Sequence, residues 1–395
     1  MALAETAFPS ERRLPFDRLG VLVALLALIG AATPFVAFRA NRIVAGKAMM
    51  LWQTLPPWEL AVVGIVLFAA AVMAALQLTP RVRLLVGLAA LLALAVAIGD
   101  VARNLTPAGD TISRTSPGTG FWLLALAFAL LASDAVARLK LRPLMRVALL
   151  AGIAIAVGAI LWSGWWNDLS VLREYANRRD DFWREAGTHV VLALGSLVAA
   201  TAIGVPIGIV CERVPRLRNA ILNVLNAVQT IPSIALFGLL IAPLAWIAAN
   251  VPGAAAIGIA GIGTAPALVA LFLYSLLPVV ANTVAGLDGV PADSEEAARG
   301  MGMTRTQRLL QIELPLAFPV ILTGIRIVLV QNIGLATVAA LIGGGGFGVF
   351  VFQGVGQTAM DLVLLGAVPT VALAFAAGAI LDALVEMVSR GGRRA

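Results

Sequence analysis

The sequence predicts an all-α protein, a polytopic transmembrane helical bundle of about ten spans with both termini on the cytoplasmic side. Three observations carry that prediction. Of the 395 residues, 61% are hydrophobic and 12% charged, about half the charged share of a soluble domain. So few polar groups cannot cover a water-soluble fold, and disorder requires the opposite composition. Second, the charge-poor stretches run close to the roughly 20 residues that a helix needs to cross a bilayer. Third, the basic residues collect in alternate gaps between those stretches, as the positive-inside rule requires.

The first five spans are predicted at Leu19–Phe38, Leu60–Leu78, Leu84–Val101, Phe121–Ala137 and Val147–Trp166. The first apolar run is longer than the core of a signal peptide, which favours a retained span. Trp52 and Trp58 sit at one predicted external loop, and Trp162, Trp165 and Trp166 end the fifth span, in keeping with the headgroup level that Trp prefers. Asp134 lies four residues before Arg138, the spacing of a helical ion pair. The polar stretch from Asn167 to Gly187 mixes both signs of charge, which predicts a solvated external helix that either joins two bundles or receives an external partner.

Beyond it, spans are predicted at Val190–Val210, twice within the charge-free run Asn219–Leu287, at Ala317–Ile342 and at Leu362–Val388. Two spans within that run, not three, keep the basic segments on one side. Arg12, Arg13, Arg18, Arg81, Arg83, Arg138, Lys140, Arg142, Arg146, Arg213, Arg216, Arg218, Arg299, Arg305, Arg308, Arg390, Arg393 and Arg394 then face the cytoplasm. That is twice as many as face outward. The net charge of +7 thus orients spans and implies no nucleic-acid partner. The division is an N-terminal extension over residues 1–166, an external loop over 167–187 and a second bundle over 188–395. One Cys and one His exclude a disulfide framework and a Cys/His metal cluster; both read as packing residues.

The segment Asp288–Pro315 carries the chemistry. Asp288, Asp293, Glu295 and Glu296 gather at the start of a helical pattern with Pro291 at its first turn, which suits the positive end of a helix dipole. Gly300 and Gly302 interrupt it, since glycine takes positive φ without strain. Thr304 and Gln307 then form a capping box, and Pro315 is expected to end that second helix where the next span starts. The product is helix, glycine turn, helix, longer than a plain connector.

Glu296-Ala297-Ala298, followed at fixed spacing by Gly302, Ile312 and Leu314-Pro315, resembles the EAA loop of ABC-importer permease subunits in every spaced position. The resemblance extends over about Thr188–Val388 and implies a five-span permease core whose loop couples to a cytoplasmic ATPase dimer. Gln229–Gly238, Pro266–Tyr274, Glu296–Met303 and Ile333–Gly348 narrow it to the osmoprotectant permeases, importers of glycine betaine, choline and related quaternary amines. That family works with an external solute-binding protein and a second permease subunit in the bacterial inner membrane. Five spans before the core, and the segment Ala245–Ala260, depart from its familiar form.

No G-x-x-x-x-G-K-[ST] occurs, so ATP is expected to be consumed by a separate subunit and no cofactor by this chain. The candidates for coupling acids and bases within the core spans are Arg326 and Asp382, both reachable from a helix end, which goes against the pattern of ion-driven carriers. Gln229, Thr230, Ser233, Gln331, Asn332 and Thr337 are the polar residues expected to border a translocation pathway; helix–helix hydrogen bonding is the competing role for each. The run Gly343–Gly348 reads as a close-packed turn or a hinge. A permease for another small solute, such as an amino acid or sulfonate, fits the same core, whereas a secondary carrier leaves the loop without a role.

Overall fold

The computed structural model describes residues 17–41, 44–107, 109–110 and 112–391. Arg12, Arg13, Arg393 and Arg394 lie outside the described residues. Among those described, nine helices are long and apolar enough to cross a membrane, and a tenth apolar helix is shorter. The chain divides into two compact units, one reaching to Leu141 and taking in Val157–Ser170, the other comprising Arg142–Ala156 and the residues from Val171 onward.

In the first unit, α1 (Arg18–Ala31), α2 (Pro57–Ala75), α3 (Pro80–Leu105) and α4 (Thr119–Leu139) pack in a bundle. The predicted first span is corrected here. Its helix stops at Ala31, fourteen residues in all, or about 21 Å at 1.5 Å per residue. Pro34 disfavours helical backbone in the residue before it and has no N–H to extend the helix. The chain turns instead into β1 (Val36–Arg39), which pairs antiparallel with β2 (Lys47–Met49) and β3 (Arg114–Pro117). An all-α reading misses this small sheet.

Four charged side chains close one end of the bundle. Asp17 caps α1 by accepting from the Gly20 N–H at 2.9 Å. Arg83, 1% exposed, reaches Asp17 at 3.0 Å and Asp134 at 3.2 Å. Arg138 pairs with Asp17 at 2.9 Å and with Asp134 at 2.8 Å. The expected i,i+4 pair is therefore half of a two-acid, two-base network. Burial pushes the Asp17 carboxyl up, but the Gly20 N–H and the two guanidinium groups outweigh it and leave the pKa below the ordinary value. Further along, Trp165 and Trp166 donate their indole N–H groups to the carbonyls of Val96 and Ala95, and Gly99 leaves the room the indoles need.

The second unit begins with the first part of α5 (Pro143–Trp162), followed by α6 (Ser170–Asn177) and α7 (Arg179–Arg213). Next come α8 (Pro215–Thr230), α9 (Ser233–Asn250) and α10 (Thr264–Asp288). The run Asn219–Leu287 thus holds two spans, α9 and α10, and the Gly/Pro-rich stretch between them is a turn. Then follow α11 (Ala292–Gly300), α12 (Arg305–Arg308), α13 (Leu314–Leu335), α14 (Gly348–Gly356) and α15 (Met360–Gly391). The core sits around α10, which packs on α7 and α13, while α13 packs on α15. Close approach of α7 and α10 rests on Gly204 and Gly208, where an added Cβ would fall 2.8 Å from Val279 and 2.5 Å from Thr283, the small-residue packing that membrane helices use. Arg326, Asp382, Arg146 and Glu386 form a linked set of ion pairs among α13, α15 and the start of α5. A charge inside a span is costly unless paired, and here each has a partner.

Candidate functional site

Two regions of the second unit hold the residues singled out by sequence. The first is the segment from α11 to α13. Asp293 and Glu295 lie in the first turn of α11 and Arg299 in its last, each the sign that the helix dipole favours. The helix ends in a Schellman motif: Met303 N–H donates to the Ala298 carbonyl at 3.1 Å and Gly302 N–H to Arg299 at 3.0 Å. Gly302 holds φ at +78°, with open space where a Cβ would stand. Only backbone conformation requires glycine there. Thr304 and Gln307 form the predicted box, with Thr304 N–H donating to Gln307 Oε1 at 2.8 Å and Gln307 N–H to Thr304 Oγ1 at 3.3 Å.

Pro315 does not end the second helix, contrary to expectation. Arg305–Leu335 runs on as one helix, with a π-helical turn at Leu309–Glu313 just before the proline. A proline ring clashes with the carbonyl four residues back and offers it no N–H; the wider turn absorbs both. Ile312 and Leu314 are half-buried, whereas Glu296, Ala297, Gly302 and Pro315 are exposed. Met301 and Leu310 are exposed as well. Behind this surface, Glu313 is buried and bonded by Arg213 at the end of α7, and Leu287, Ala317 and Ile321 pack with Leu309 and Leu314. Sequence reasoning missed Glu313; its signal was a lone carboxylate beside Leu314-Pro315.

The second region is a cavity of about 320 Å³ lined by Gln229, Thr230, Ile231, Pro232, Ser233, Tyr274, Gln331 and Leu335. Pro232 breaks the chain between α8 and α9 here. Gln229 is held in place by a feature of α10. Pro278 cannot donate to the Tyr274 carbonyl four residues before it, and the Gln229 side-chain amide donates there instead, at 2.8 Å. The Tyr274 hydroxyl donates in return to the Ile231 carbonyl at the helix break. Tyr274 was not singled out from sequence, though Gln229 and a proline four residues beyond it were its traces.

The cavity gathers Gln229, Thr230, Ser233 and Gln331 but not Asn332 or Thr337. Asn332 is fully buried, and its Nδ2 donates to Ser196 and Ser275, both at 2.8 Å. It ties α7, α10 and α13 together. The Thr337 hydroxyl donates to the Gly334 carbonyl of its own turn. Gln331 and Asn332 are neighbours in sequence, but successive helical residues lie about 100° apart.

Comparison with known proteins decides the family. Residues 204–394 match the model of the binding-protein-dependent transport system inner membrane component. The osmoprotectant import permease protein OsmW of Salmonella typhimurium is 42% identical over 52% of this chain and 89% of its own length. The chain belongs to this permease family. Also similar are the carnitine transport permease protein OpuCB of Listeria monocytogenes, 38% identical over 47% of this chain and 78% of that protein, and the choline transport system permease protein OpuBB of Bacillus subtilis, 36% identical over 51% and 84%. Among solved structures, an inward-facing form of the MetNI methionine ABC transporter covers 54% of this chain and 98% of its own, at 21% identity and a TM-score of 0.47.

Residues 17–172 match a model of their own, the N-terminal domain of the ABC transporter permease YehY. The sequence alone read these spans as a general extension. The ABC permease is thus a membrane-spanning transport component of the inner membrane, with a recognised domain ahead of its core.

Proposed function

We propose that this permease forms the translocation pathway of an importer for a small osmoprotectant of the glycine betaine or choline kind. ATP is hydrolysed by a separate cytoplasmic ATPase dimer, solute is delivered by an external binding protein, and a second permease subunit completes the pathway. The observation that carries the reading is the cavity at the α8–α9 break. At about 320 Å³ it lies at the small end of ligand pockets. Its lining offers hydroxyl and amide groups and no formal charge. A fixed charge there would have to be stripped by its partner at each passage; neutral dipoles bind a quaternary amine loosely enough to let it go.

The exposed face from Glu296 to Leu310 supports coupling to the ATPase. Met301 is 72% and Leu310 59% exposed, apolar groups on a polar, capped segment, where a partner surface is the natural cover. Closure of the ATPase dimer then pushes on α11 and α12, and the pair of buried Glu313 with Arg213 carries the push into α7.

The test is uptake of labelled glycine betaine into vesicles holding the permease with its ATPase and binding protein. Gln331→Leu is expected to raise KM for uptake at least fivefold while ATP hydrolysis persists. Wild-type KM in that variant removes the cavity from the pathway.

A further inference from the structure

The glycine run ends in a contact that neither the coupling segment nor the cavity uses. Between α13 and α15 the chain does not cross back at once. It makes a tight turn through Gly343, Gly345 and Gly346, all at positive φ, and enters the nine-residue helix α14. Two buried side chains of α7 hold that turn. Glu185 Oε2 accepts from the Gly346 N–H at 2.7 Å, and His189 Nδ1 accepts from the Phe347 N–H at 3.3 Å. Glu185 and His189 are four residues apart and so share one face of α7. Phe347 is the N-cap of α14, so its N–H is among those that a helix start leaves without internal partners, and Gly346 stands just before it. Glycine is needed for the approach: a Cβ at Gly345 would fall 2.9 Å from Glu185 Oε2, and one at Gly346 3.1 Å from His189 Nδ1.

Apolar contacts reinforce the polar ones. Phe347, Phe350, Leu362 and Leu365 are buried against Tyr175 and Phe182 of α6 and α7, and Arg178 donates to Gln353 at 3.1 Å. Toward the start of α10 the turn has one backbone hydrogen bond, Gly263 N–H to the Ile342 carbonyl at 2.9 Å, beside apolar packing of Ala339 and Ile342 on Ala267. The polar stretch read from sequence as a solvated helix is therefore partly an anchor.

We infer that Glu185 and His189 are positioning residues of transport: they latch α14 to α7, so that α6, the start of α7, Gly346 and α14 move as one body during the transport cycle. The hinge lies in Gly343–Gly345, between the packing on α10 and the latch on α7. The latch stands at the end of α7 opposite Arg213 and Glu313, so displacement at the coupling segment arrives there along a single helix. The inference rests on the transport reading for its uptake arm and stands without it for its exchange arm.

Amide hydrogen exchange on the reconstituted permease reads the latch directly. Glu185→Ala is expected to speed exchange over residues 343–350 at least tenfold and leave α10 unchanged. Glu185→Gln, whose amide oxygen still accepts from Gly346, restores most of the protection. Unchanged exchange in Glu185→Ala overturns the latch. For the one-body motion, Arg178→Cys with Gln353→Cys is joined by a short cleavable thiol linker; Cys211 is buried and does not compete. Linked transporter is expected to keep at least half of its uptake. Uptake lost on linking and regained on cleavage overturns motion as one body. A chain with the expected exchange pattern but no ATP-driven uptake in either state supports the latch and counts against the transport reading.

Discussion

The two units are built from the same apolar material and place their polar groups differently. In the N-terminal unit, Asp17, Arg83, Asp134 and Arg138 gather at one end, and the interior between α3 and α4 is made of residues such as Ala90, Leu94, Ala127 and Leu131. In the core, polar side chains sit within the spans: Ser196, Ser275, Thr283 and Asn332 are buried there. Prolines interrupt α7, α9, α10, α13 and α15 of the core, whereas in the N-terminal unit they stand only at the starts of α2 and α3 among the spans. An uninterrupted helix has one good conformation. A proline leaves a carbonyl that a neighbouring group must satisfy, and such a bond can be exchanged for another. The difference describes one static bundle and one built to rearrange.

The largest expected effect tests the static half. Arg83 is 1% exposed and joins both acids. Arg83→Leu leaves the half-buried Asp17 and Asp134 with Arg138 alone; loss of one partner from a fully buried ion pair costs about 3–5 kcal/mol, and the partial exposure of these acids lowers that to about 2–3 kcal/mol. Thermal unfolding of the purified permease in detergent should show the N-terminal unit melting earlier. An unshifted transition would mean that the network adds nothing to its stability.

Next in size is Gly302→Val. Left-handed backbone costs a non-glycine residue about 1–2 kcal/mol, more when it is β-branched. The Schellman turn between α11 and α12 should then reform with altered direction. Membrane insertion is expected to persist while ATP-driven uptake falls at least tenfold. Gly302→Asn, which tolerates this conformation better, should fall less. Equal uptake by glycine and valine forms would remove the coupling role.

These two cases also mark how much was legible in the sequence. The spans were, because a bilayer demands length and hydropathy and both are local. So was the α11–Gly302–α12 form, since caps and a glycine turn are set within a few residues. The pairs Arg83–Asp17 and Arg213–Glu313 were not, because nothing local brings together residues that far apart. Nor was the split between Gln331, at the cavity, and Asn332, in the packing. A soluble helix shows its buried face by periodicity, but a span that meets lipid on one side and helices on the other is apolar all round. Pro34 ended α1 early for a local reason that a hydropathy window overlooks.

A smaller effect comes from Pro278→Ala, which sharpens the contrast from the mobile side. Alanine restores an N–H to bond the Tyr274 carbonyl, and Gln229 loses its place. The variant is expected to be slightly more stable to heat and to take up solute about threefold less well. A gain in both stability and uptake would show that the break in α10 has no part in transport.

The smallest effect is the response of the N-terminal network to acid. Asp17 has its pKa below the ordinary 3.8, so in acid the unfolded chain binds a proton before the folded one does. The stability from this carboxylate is then complete above the unfolded value and is lost as pH falls through the folded one. Between pH 7 and 5 the unfolding temperature should hardly depend on Asp17; below about pH 4 it should begin to fall. Asp17→Asn keeps an oxygen for the Gly20 N–H but carries no titrating charge. It should lower stability at neutral pH and flatten this acid limb. A limb of unchanged height in Asp17→Asn would place the acid response elsewhere, and the closed end of the static bundle would then owe its stability to packing instead of charge.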